Sequence, residues 1–186
     1  HITDHVTAVN TSADGYIESL ATQGSGALAA DLFIDCSGVA SVLLGDHFKV
    51  PFISRKSVLF NDRALAVQVP YPDDNQSIAS ATLSTAQRAG WIWDIGLPTR
   101  RGVGYVYSSS HSSDAQAEED LRAYLEPSMG KRNAHAAQLR QLKINPGHRA
   151  SFWHKNCVAV GMSAGFIEPL EASALAEVLE NEGFRE

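Results

Sequence analysis

The sequence is poor in cysteine and lacks long apolar runs. Its two cysteines, Cys36 and Cys157, have no Cys or His neighbour at a metal-ligand spacing, so we expect two reduced thiols and no bound metal. No apolar stretch approaches the roughly 20 residues that a membrane-spanning helix needs, and no signal peptide is recognisable. We therefore expect a cytoplasmic protein without a membrane partner.

Clustered positive charge is also missing. The chain has 15 basic and 21 acidic residues and a net charge of −6 at pH 7, and its basic residues form only short scattered pairs such as Arg100-Arg101. Nucleic-acid binding needs a concentrated basic surface, so no nucleic-acid partner is expected. A serine hydrolase is disfavoured as well, because Ser110-His111 does not follow the strand–turn–helix pattern that places such a nucleophile.

Apolar runs that end on turn residues predict several strands. Asp14-Gly15 predicts a tight hairpin within a β meander over residues 1–35. Residues 28–36 and 156–161 have the apolar centre of buried strands, and the first of them ends on Ser37-Gly38. A strand that ends on glycine allows another backbone or a ligand to approach closely.

Helical segments are fewer. Residues 115–125 predict a helix with Asp114 as its N-cap, ended by Pro127 and Gly130. Residues 134–142 predict a second, short helix. Together with the strands, these segments predict an α/β fold class, a mixed α+β arrangement around a mixed sheet.

The first candidate functional segment is Gly161–Gly165, which joins a predicted buried strand to a predicted helix. Small residues allow a tight bend, and the N-terminus of a helix favours an anion such as phosphate or halide. A purely structural turn between a strand and a helix would have the same pattern. The residues alone leave both interpretations open.

Two further pairs of residues also have both a structural and a functional interpretation. Glu168 and Glu171 share one face at a predicted helix start, where they either complement the helix dipole or act as acid–base groups beside the turn. Trp91 and Trp93 alternate with Ile92, so both point to one side of a strand. They are either core residues or the wall of an aromatic-ligand pocket.

Taken together, these segments resemble the flavin-dependent tryptophan halogenase family. Several separate motifs occur in the family's order over nearly the whole chain, which makes the resemblance specific. The segments that carry it are residues 90–95 (GWIWDI, resembling W-x-W-x-I-P), 166–173 (FIEPLEAS, resembling F-V-E-P-L-E-S-T), 31–38 (DLFIDCSG, resembling a late strand of the FAD-binding domain), 60–64 and 101–109.

The resemblance implies an FAD-binding, aromatic-hydroxylase-like flavoprotein fold that is incomplete at both ends of this chain. It implies an FADH2-dependent halogenase that uses O2 and chloride or bromide to modify tryptophan or another indole or aromatic substrate. The implied partners are a flavin reductase that supplies FADH2 and a small aromatic substrate, and a homodimer is an open alternative for the assembly. We expect one partial domain over residues 1–186, with 1–48 and 150–186 in the FAD-binding module and 49–149 in the substrate-side sheet and helices.

Site roles follow from the same resemblance, position by position. Glu171 matches the catalytic carboxylate. Ser173 and Ala174 match positions beside the halide. Trp91 and Trp93 match the tryptophans between the flavin and substrate sites. The expected cofactor-binding residues are Asp35, Gly38, Gly161, Ser163, Ala164 and Gly165.

The chain departs from the family pattern in several places. Gly96 stands where the motif has proline, and Ser173-Ala174 replaces Thr-Gly. The glycine-rich FAD motif and the context of the family's catalytic lysine are absent from these 186 residues. Two alternatives therefore stay open: a flavin-dependent aromatic monooxygenase that does not halogenate, and a truncated chain that is inactive. We expect the chain alone to be inactive even where the whole protein is a halogenase.

Overall fold

The structure, a computed structural model, describes residues 1–73 and 75–167. It forms two compact units: the first contains residues 1–55 and the described residues from Gly147 onward, and the second contains residues 56–146. The domain boundaries expected from the sequence stay predictions. In chain order the strands are β1 (Val6–Thr11), β2 (Ile17–Thr22), β3 (Ala27–Ala29), β4 (Phe33–Asp35), β5 (Phe52–Ser54), β6 (Arg63–Pro70), β7 (Leu83–Gln87), β8 (Gly90–Gly96), β9 (Arg100–Tyr107), β10 (Arg140–Lys143), β11 (Gly147–Arg149), β12 (Trp153–His154), β13 (Cys157–Ala159) and β14 (Gly165–Phe166), and the helices are α1 (Asp114–Met129) and α2 (Lys131–Ala136).

Three small sheets build the first unit. Strands β1, β2 and β3 form an antiparallel meander, and β14, β11 and β5 form a second antiparallel sheet. The hairpin predicted at Asp14-Gly15 is confirmed, since it joins the paired strands β1 and β2. Gly15 in the turn has a φ of +79°, and the Ser12 amide donates a hydrogen bond across the turn to the Tyr16 carbonyl at 2.8 Å. Glycine adopts this backbone region without a steric penalty, which is why the turn needs it.

The third sheet confirms the buried strand expected over residues 156–161, as β13, and corrects the one expected over residues 28–36. That segment is divided between β3 of the meander and β4 of this sheet, and Ile34, at the expected apolar centre, is 59% exposed. The order of the third sheet is β12-β13-β4, and β13 runs parallel to β4 with Cys157 opposite Phe33 and Ala159 opposite Asp35. Neighbouring side chains of a strand point to opposite faces, so alternate residues enter the core. The buried apolar residues of this unit include Ile17, Phe33, Leu43, Leu44, Val50, Cys157 and Ala159.

The second unit is a five-stranded antiparallel sheet with helix α1 on one face. Its strand order is β10-β6-β9-β8-β7. Tyr105 and Tyr107 of β9 are buried in one cluster with Leu121 and Leu125 of α1. These residues recur every two positions on the strand and every four on the helix, which places each set on a single face. The apolar stripe of α1 therefore covers one face of the sheet.

Helix α1 confirms the predicted helix but corrects both of its ends. The N-cap is Ser113, whose hydroxyl accepts a hydrogen bond from the Gln116 amide at 3.2 Å, and Asp114 is the first helical residue. Pro127 lies inside the helix rather than after it, and Gly130 ends the helix with a φ of +77°. A proline in the last turn removes one backbone donor, and packing of the helix against the sheet outweighs that loss.

The second helix expected over residues 134–142 is wrong in its extent. Helix α2 is shorter and begins earlier, and residues Arg140–Lys143 form strand β10 instead. This strand pairs with Arg63–Ala66 of β6 at the edge of the sheet. The paired residues of β6 lie 74 to 80 positions earlier in the chain, so no local sequence pattern predicts the pairing. The mixed α+β class is nevertheless confirmed. Across residues 1–73 and 75–167, no helix is both long enough and apolar enough to cross a membrane.

Tyr107 provides a test of the second unit's core. Its hydroxyl donates to Asp114 Oδ1 at 2.7 Å, and burial, together with this hydrogen bond, raises the pKa of Tyr107 from 10.0 to about 12. Above pH 10 the unfolded chain releases the proton while the folded chain holds it. The stabilisation that Tyr107 contributes is therefore complete below pH 10 and is lost as the pH rises toward 12.

We expect Tyr107→Phe to lower the free energy of unfolding by about 1 kcal/mol near neutral pH, because one hydrogen bond is lost. The same change should flatten the decline in stability between pH 10 and 12. Urea unfolding across this pH range measures both effects. Tyr16→Phe, at an exposed tyrosine of the first unit, is the matched control. An alkaline decline as steep as that of the unchanged protein would contradict the prediction.

Candidate functional site

The predicted site residues that the structure describes fall into two groups, one in each unit. The first unit contains Asp35, Gly38 and the glycine-bearing turn, and the second contains the two tryptophans. Glu171, Ser173 and Ala174 lie outside the described residues. Within the described part of the chain, no group of three or more His, Cys, Asp or Glu side chains could hold a metal ion.

The turn after β13 is shaped by a glycine and a buried serine. Gly161 has a φ of +66° and begins a single 3-10 turn. The Ser163 hydroxyl contacts the carbonyl oxygen of Val160 at 2.8 Å and that of Asp35, and the Ala164 amide donates to the Gly161 carbonyl at 2.9 Å. Ser163 and Ala164 therefore hold the shape of the turn from inside, and both are buried.

Gly165 is required by close packing against strand β11. A Cβ atom at this position would lie 2.6 Å from the Gly147 carbonyl oxygen and 2.7 Å from His148 Cα, closer than real Cβ atoms approach such atoms. Both atoms belong to backbone, so neither can move aside cheaply. This contact explains the glycine without a ligand, and a cofactor contact at Gly165 stays a prediction.

Asp35 at the end of β4 is a buried carboxylate surrounded by donors. It accepts hydrogen bonds from the Ser37 amide at 3.1 Å and the Ser37 hydroxyl at 2.5 Å. It also accepts from the amides of Leu43 and Leu44, at 3.0 and 2.9 Å, in the first turn of the π-helical segment Val42–His47. The side chain is 2% exposed. Its oxygens therefore organise the backbone beside the turn.

Gly38 and Gly161 leave accessible backbone beyond the carboxyl ends of β4 and β13. A Cβ atom on Gly161 would meet no heavy atom within 4 Å, and one on Gly38 would reach only the end of the Met162 side chain at 4.0 Å. Ligands of open α/β sheets bind at the carboxyl ends of parallel strands. The backbone at Gly161 is thus open to a flat cofactor, and at Gly38 only the end of the Met162 side chain lies near, so these two residues fit the expected FAD.

Trp91 and Trp93 lie on β8, on the face of the sheet opposite helix α1. Between and beside them, Ile92 and Asp94 point to the α1 side and are 0% and 5% exposed. The two indole rings have centroids 6.2 Å apart and an interplanar angle of 64°. Aromatic rings favour this edge-to-face geometry. The prediction that both tryptophans share one side of a strand is confirmed, and their role as a wall stays a prediction.

The Trp93 ring rests against a glycine of the neighbouring strand. The register places Trp93 opposite Gly104 of β9, and Gly104 opposite Ala66 of β6. A Cβ atom on Gly104 would overlap the six-membered ring of Trp93. The absence of a side chain at this position is therefore what allows the indole to occupy its place.

We expect Gly104→Ala to displace the Trp93 ring and to lower the free energy of unfolding by about 1–3 kcal/mol, because the added methyl group overpacks the contact. Gly102→Ala on the same strand is the matched control, since a Cβ atom there would meet nothing within 4 Å. Tryptophan emission spectra and urea unfolding of both variants check the prediction. Equal spectra and equal stability for the two variants would contradict it.

Asp94 is a candidate that the sequence pattern does not single out. Its Oδ2 accepts a hydrogen bond from the Tyr124 hydroxyl at 3.1 Å, and its Oδ1 lies 3.3 Å from Arg101 Nε, an ion pair that is not aligned as a hydrogen bond. The signal in the sequence is alternation, which sends a carboxylate to the core side, where it needs a partner. Arg101 comes beside Asp94 through the β8–β9 hairpin, and Tyr124 only through the docking of α1.

Comparisons of the sequence with known proteins agree on one family. A family model for tryptophan halogenases matches residues 1–181. The chain belongs to the tryptophan halogenase family. Tryptophan 6-halogenase SttH of Streptomyces toxytricini is 38% identical over 175 residues, which are 94% of this chain and 32% of that protein. Tryptophan 7-halogenase KtzQ of a Kutzneria species is 40% identical over the same shares of the two chains. The chain thus spans about a third of the length of these relatives.

Solved structures lead to the same family. The crystal structure of a tryptophan halogenase from Shewanella frigidimarina matches with a TM-score of 0.88 and 60% sequence identity, over 95% of this chain and 33% of the matched chain. The flavin-dependent halogenase BrvH from a Brevundimonas species matches with a TM-score of 0.82 and 35% identity, over 94% of this chain and 34% of the matched chain. The halogenase fold expected from the sequence is therefore confirmed over the part that this chain covers.

Proposed function

We propose that the whole protein is an FADH2-dependent halogenase that chlorinates or brominates tryptophan or another indole or aromatic substrate. The observation that carries the proposal is the half-buried, edge-to-face pair of Trp91 and Trp93 on the sheet face opposite α1. Support for an indole substrate comes from the relatives named tryptophan 6-halogenase and tryptophan 7-halogenase. The proposed partner is a flavin reductase that supplies FADH2.

The residues of the first unit serve cofactor binding in this proposal. Bound reduced FAD supplies the electrons with which O2 is activated. Gly38 and Gly161 leave the backbone open to the cofactor, while Asp35 and Ser163 hold that backbone in shape. A cradle that is organised before the cofactor arrives loses little further entropy on binding.

The aromatic substrate and the halide are handled by the other predicted residues. Trp91 and Trp93 offer an apolar aromatic surface that an aromatic ring contacts and from which water is excluded. Glu171 is the proposed carboxylate that orients the halogenating species or accepts the ring proton. Ser173 and Ala174 are proposed to lie beside chloride or bromide.

The test is an assay of the whole protein with a flavin reductase, NADH, oxygen and bromide on a panel of tryptophan and substituted indoles. Mass spectrometry should detect brominated products that require both the reductase and the halide. Glu171→Gln keeps the size of the side chain but removes the base, so the rate should fall by roughly 100-fold or more. Glu119→Gln, on the exposed side of α1, should leave the rate unchanged.

FAD binding is measured in the same preparations, so that a missing cofactor is not mistaken for missing chemistry. Absence of any halogenated product across the panel, with FAD bound, would rule out the proposed activity. A full rate in Glu171→Gln would instead remove only the role assigned to that carboxylate.

A second candidate function is aromatic monooxygenation without halogenation, and Gly96 favours it. A Cβ atom at Gly96 would lie 2.6 Å from Ile78 Cγ2 and 3.1 Å from the Ala79 carbonyl oxygen. A proline at this position, as in the family motif, would therefore displace Ile78 and Ala79, which lie beside the end of β8. Products that gain an oxygen atom equally well with and without bromide would support this candidate over halogenation.

The 186-residue chain alone is proposed to be inactive, because the glycine-rich FAD motif is not among its residues. Titration of the isolated chain with FAD, followed by flavin fluorescence, tests this directly. We expect no saturable binding at micromolar FAD concentrations. Submicromolar binding by the isolated chain would contradict the proposal.

A further inference from the structure

We propose that a buried ion pair behind strand β8 positions the two tryptophans on its front face. The pair is Asp94 with Arg101, and Tyr124 of α1 joins it. The inference rests on the proposed function, because the placement of the tryptophans matters for catalysis only if they form a wall of the aromatic site. Asp94, Arg101 and Tyr124 are positioning residues in this scheme and do not touch the substrate.

Asp94 is attached both to the neighbouring strand and to the helix. The Tyr124 hydroxyl donates to its Oδ2 at 3.1 Å, and Arg101 Nε lies 3.3 Å from its Oδ1. Arg101 also donates to the Ser128 hydroxyl at 3.1 Å, one turn further along α1. The side chains of Asp94 and Arg101 are 6% and 17% exposed. Asp94 therefore gives β8 polar contacts on the α1 side, in addition to the buried side chain of Ile92 in the same cluster as Leu121 and Leu125 of α1.

A movement of Asp94 is transmitted to the tryptophans on the opposite face of β8. Neighbouring side chains of a strand point to opposite faces, and their Cα atoms are only about 3.8 Å apart. A rotation of β8 at Asp94 thus moves Trp93 directly. Trp93 has little freedom to compensate, because its ring rests against Gly104. Trp91, whose ring meets that of Trp93 edge to face, shares the displacement.

Stability alone is a weak reason for such a pair. Two charges lose hydration on burial, and a buried ion pair is often replaced by apolar residues of similar volume without loss of stability. The hydrogen bonds from Tyr124 to Asp94 and from Arg101 to Ser128 are directional, so they fix a rotation and a register in a way that apolar contacts do not. The donor role of Tyr124 is secure, because burial and the charge of Asp94 raise the pKa of its hydroxyl, which keeps its proton. The geometry therefore suits positioning.

The experiment compares three variants of the whole protein. The double variant Asp94→Leu with Arg101→Leu removes both charges together, so that no unpaired charge stays buried. The single variant Asp94→Asn keeps the shape and an acceptor for Tyr124 but loses the charge. Asp62→Asn is the matched control: Asp62 also pairs with an arginine, Arg63, at 3.1 Å in the same unit, but it accepts from Ser109 and not from any residue of β8.

Two independent readouts are taken. Fluorine NMR of protein labelled with 5-fluorotryptophan reports the surroundings of each indole, with resonances assigned by Trp→Phe variants and with Trp153 of the first unit as internal reference. Steady-state kinetics of halogenation report kcat and KM separately. The NMR readout does not require activity, so failure of the proposed function and failure of this inference are distinguishable.

We expect the double variant to fold with a similar melting temperature, to shift the resonances of Trp91 and Trp93 but not that of Trp153, and to lower kcat by about tenfold or more with a smaller change in KM. Asp94→Asn should give a smaller shift of the same kind, and Asp62→Asn none. Unmoved Trp91 and Trp93 resonances in either Asp94 variant overturn the proposal, as does an equal shift in Asp62→Asn. An active double variant with unchanged kcat overturns it as well.

Discussion

The carboxylate of Asp35 is the group on which the first unit's candidate surface depends. It stands at the end of β4, accepts from the Leu43 and Leu44 amides, and is 2% exposed. The main-chain carbonyl of the same residue accepts from the Val160 amide at 3.0 Å and contacts the Ser163 hydroxyl. One residue thus joins a strand, a π-helical segment and the turn after β13. Loss of the carboxylate would leave several buried donors without acceptors, which costs more than the hydrogen bonds themselves contribute.

The second unit uses a buried acid in a different way. Asp94 is held by side chains, Arg101 and Tyr124, rather than by backbone amides. The donors to the Asp35 carboxylate are Ser37, Leu43 and Leu44, which lie two to nine residues further along the chain, so these contacts are local. The Asp94 contacts require a correct hairpin and a correctly docked helix. The contacts of the Asp94 carboxylate therefore depend on tertiary packing, whereas those of the Asp35 carboxylate stabilise a local arrangement.

This difference explains how much of the molecule could be predicted from its sequence. The hairpin at Asp14-Gly15 and the strand of Trp91 and Trp93 were predictable, because turn residues and alternation are local signals. The edge strand Arg140–Lys143 was not, because its partner lies far away in the chain. The predicted N-cap of α1 was wrong by one residue, because Ser113 and Asp114 are both good capping residues. Only the fold shows that the Asp114 carboxylate accepts a hydrogen bond from Tyr107 instead.

The candidate site divides along the same line. Its motifs were recognised through a family resemblance, because physical arguments left each segment with both a structural and a functional interpretation. No sequence pattern indicated Asp94, because its partner Tyr124 is brought to it only by the docking of α1. Contacts in the structure also distinguish residues of the same type that have different roles.

Glycines show this separation most clearly. Gly165 and Gly104 are glycines because backbone or an indole ring occupies the place of a side chain. Gly161 instead faces open space, and Gly38 has only the end of the Met162 side chain nearby. Only the second kind leaves room for a ligand to approach the backbone. The proposed cofactor surface in the first unit is therefore narrower than the run Gly161–Gly165 suggests. It centres on two glycines of positive φ from different segments, brought together by the parallel pairing of β4 with β13.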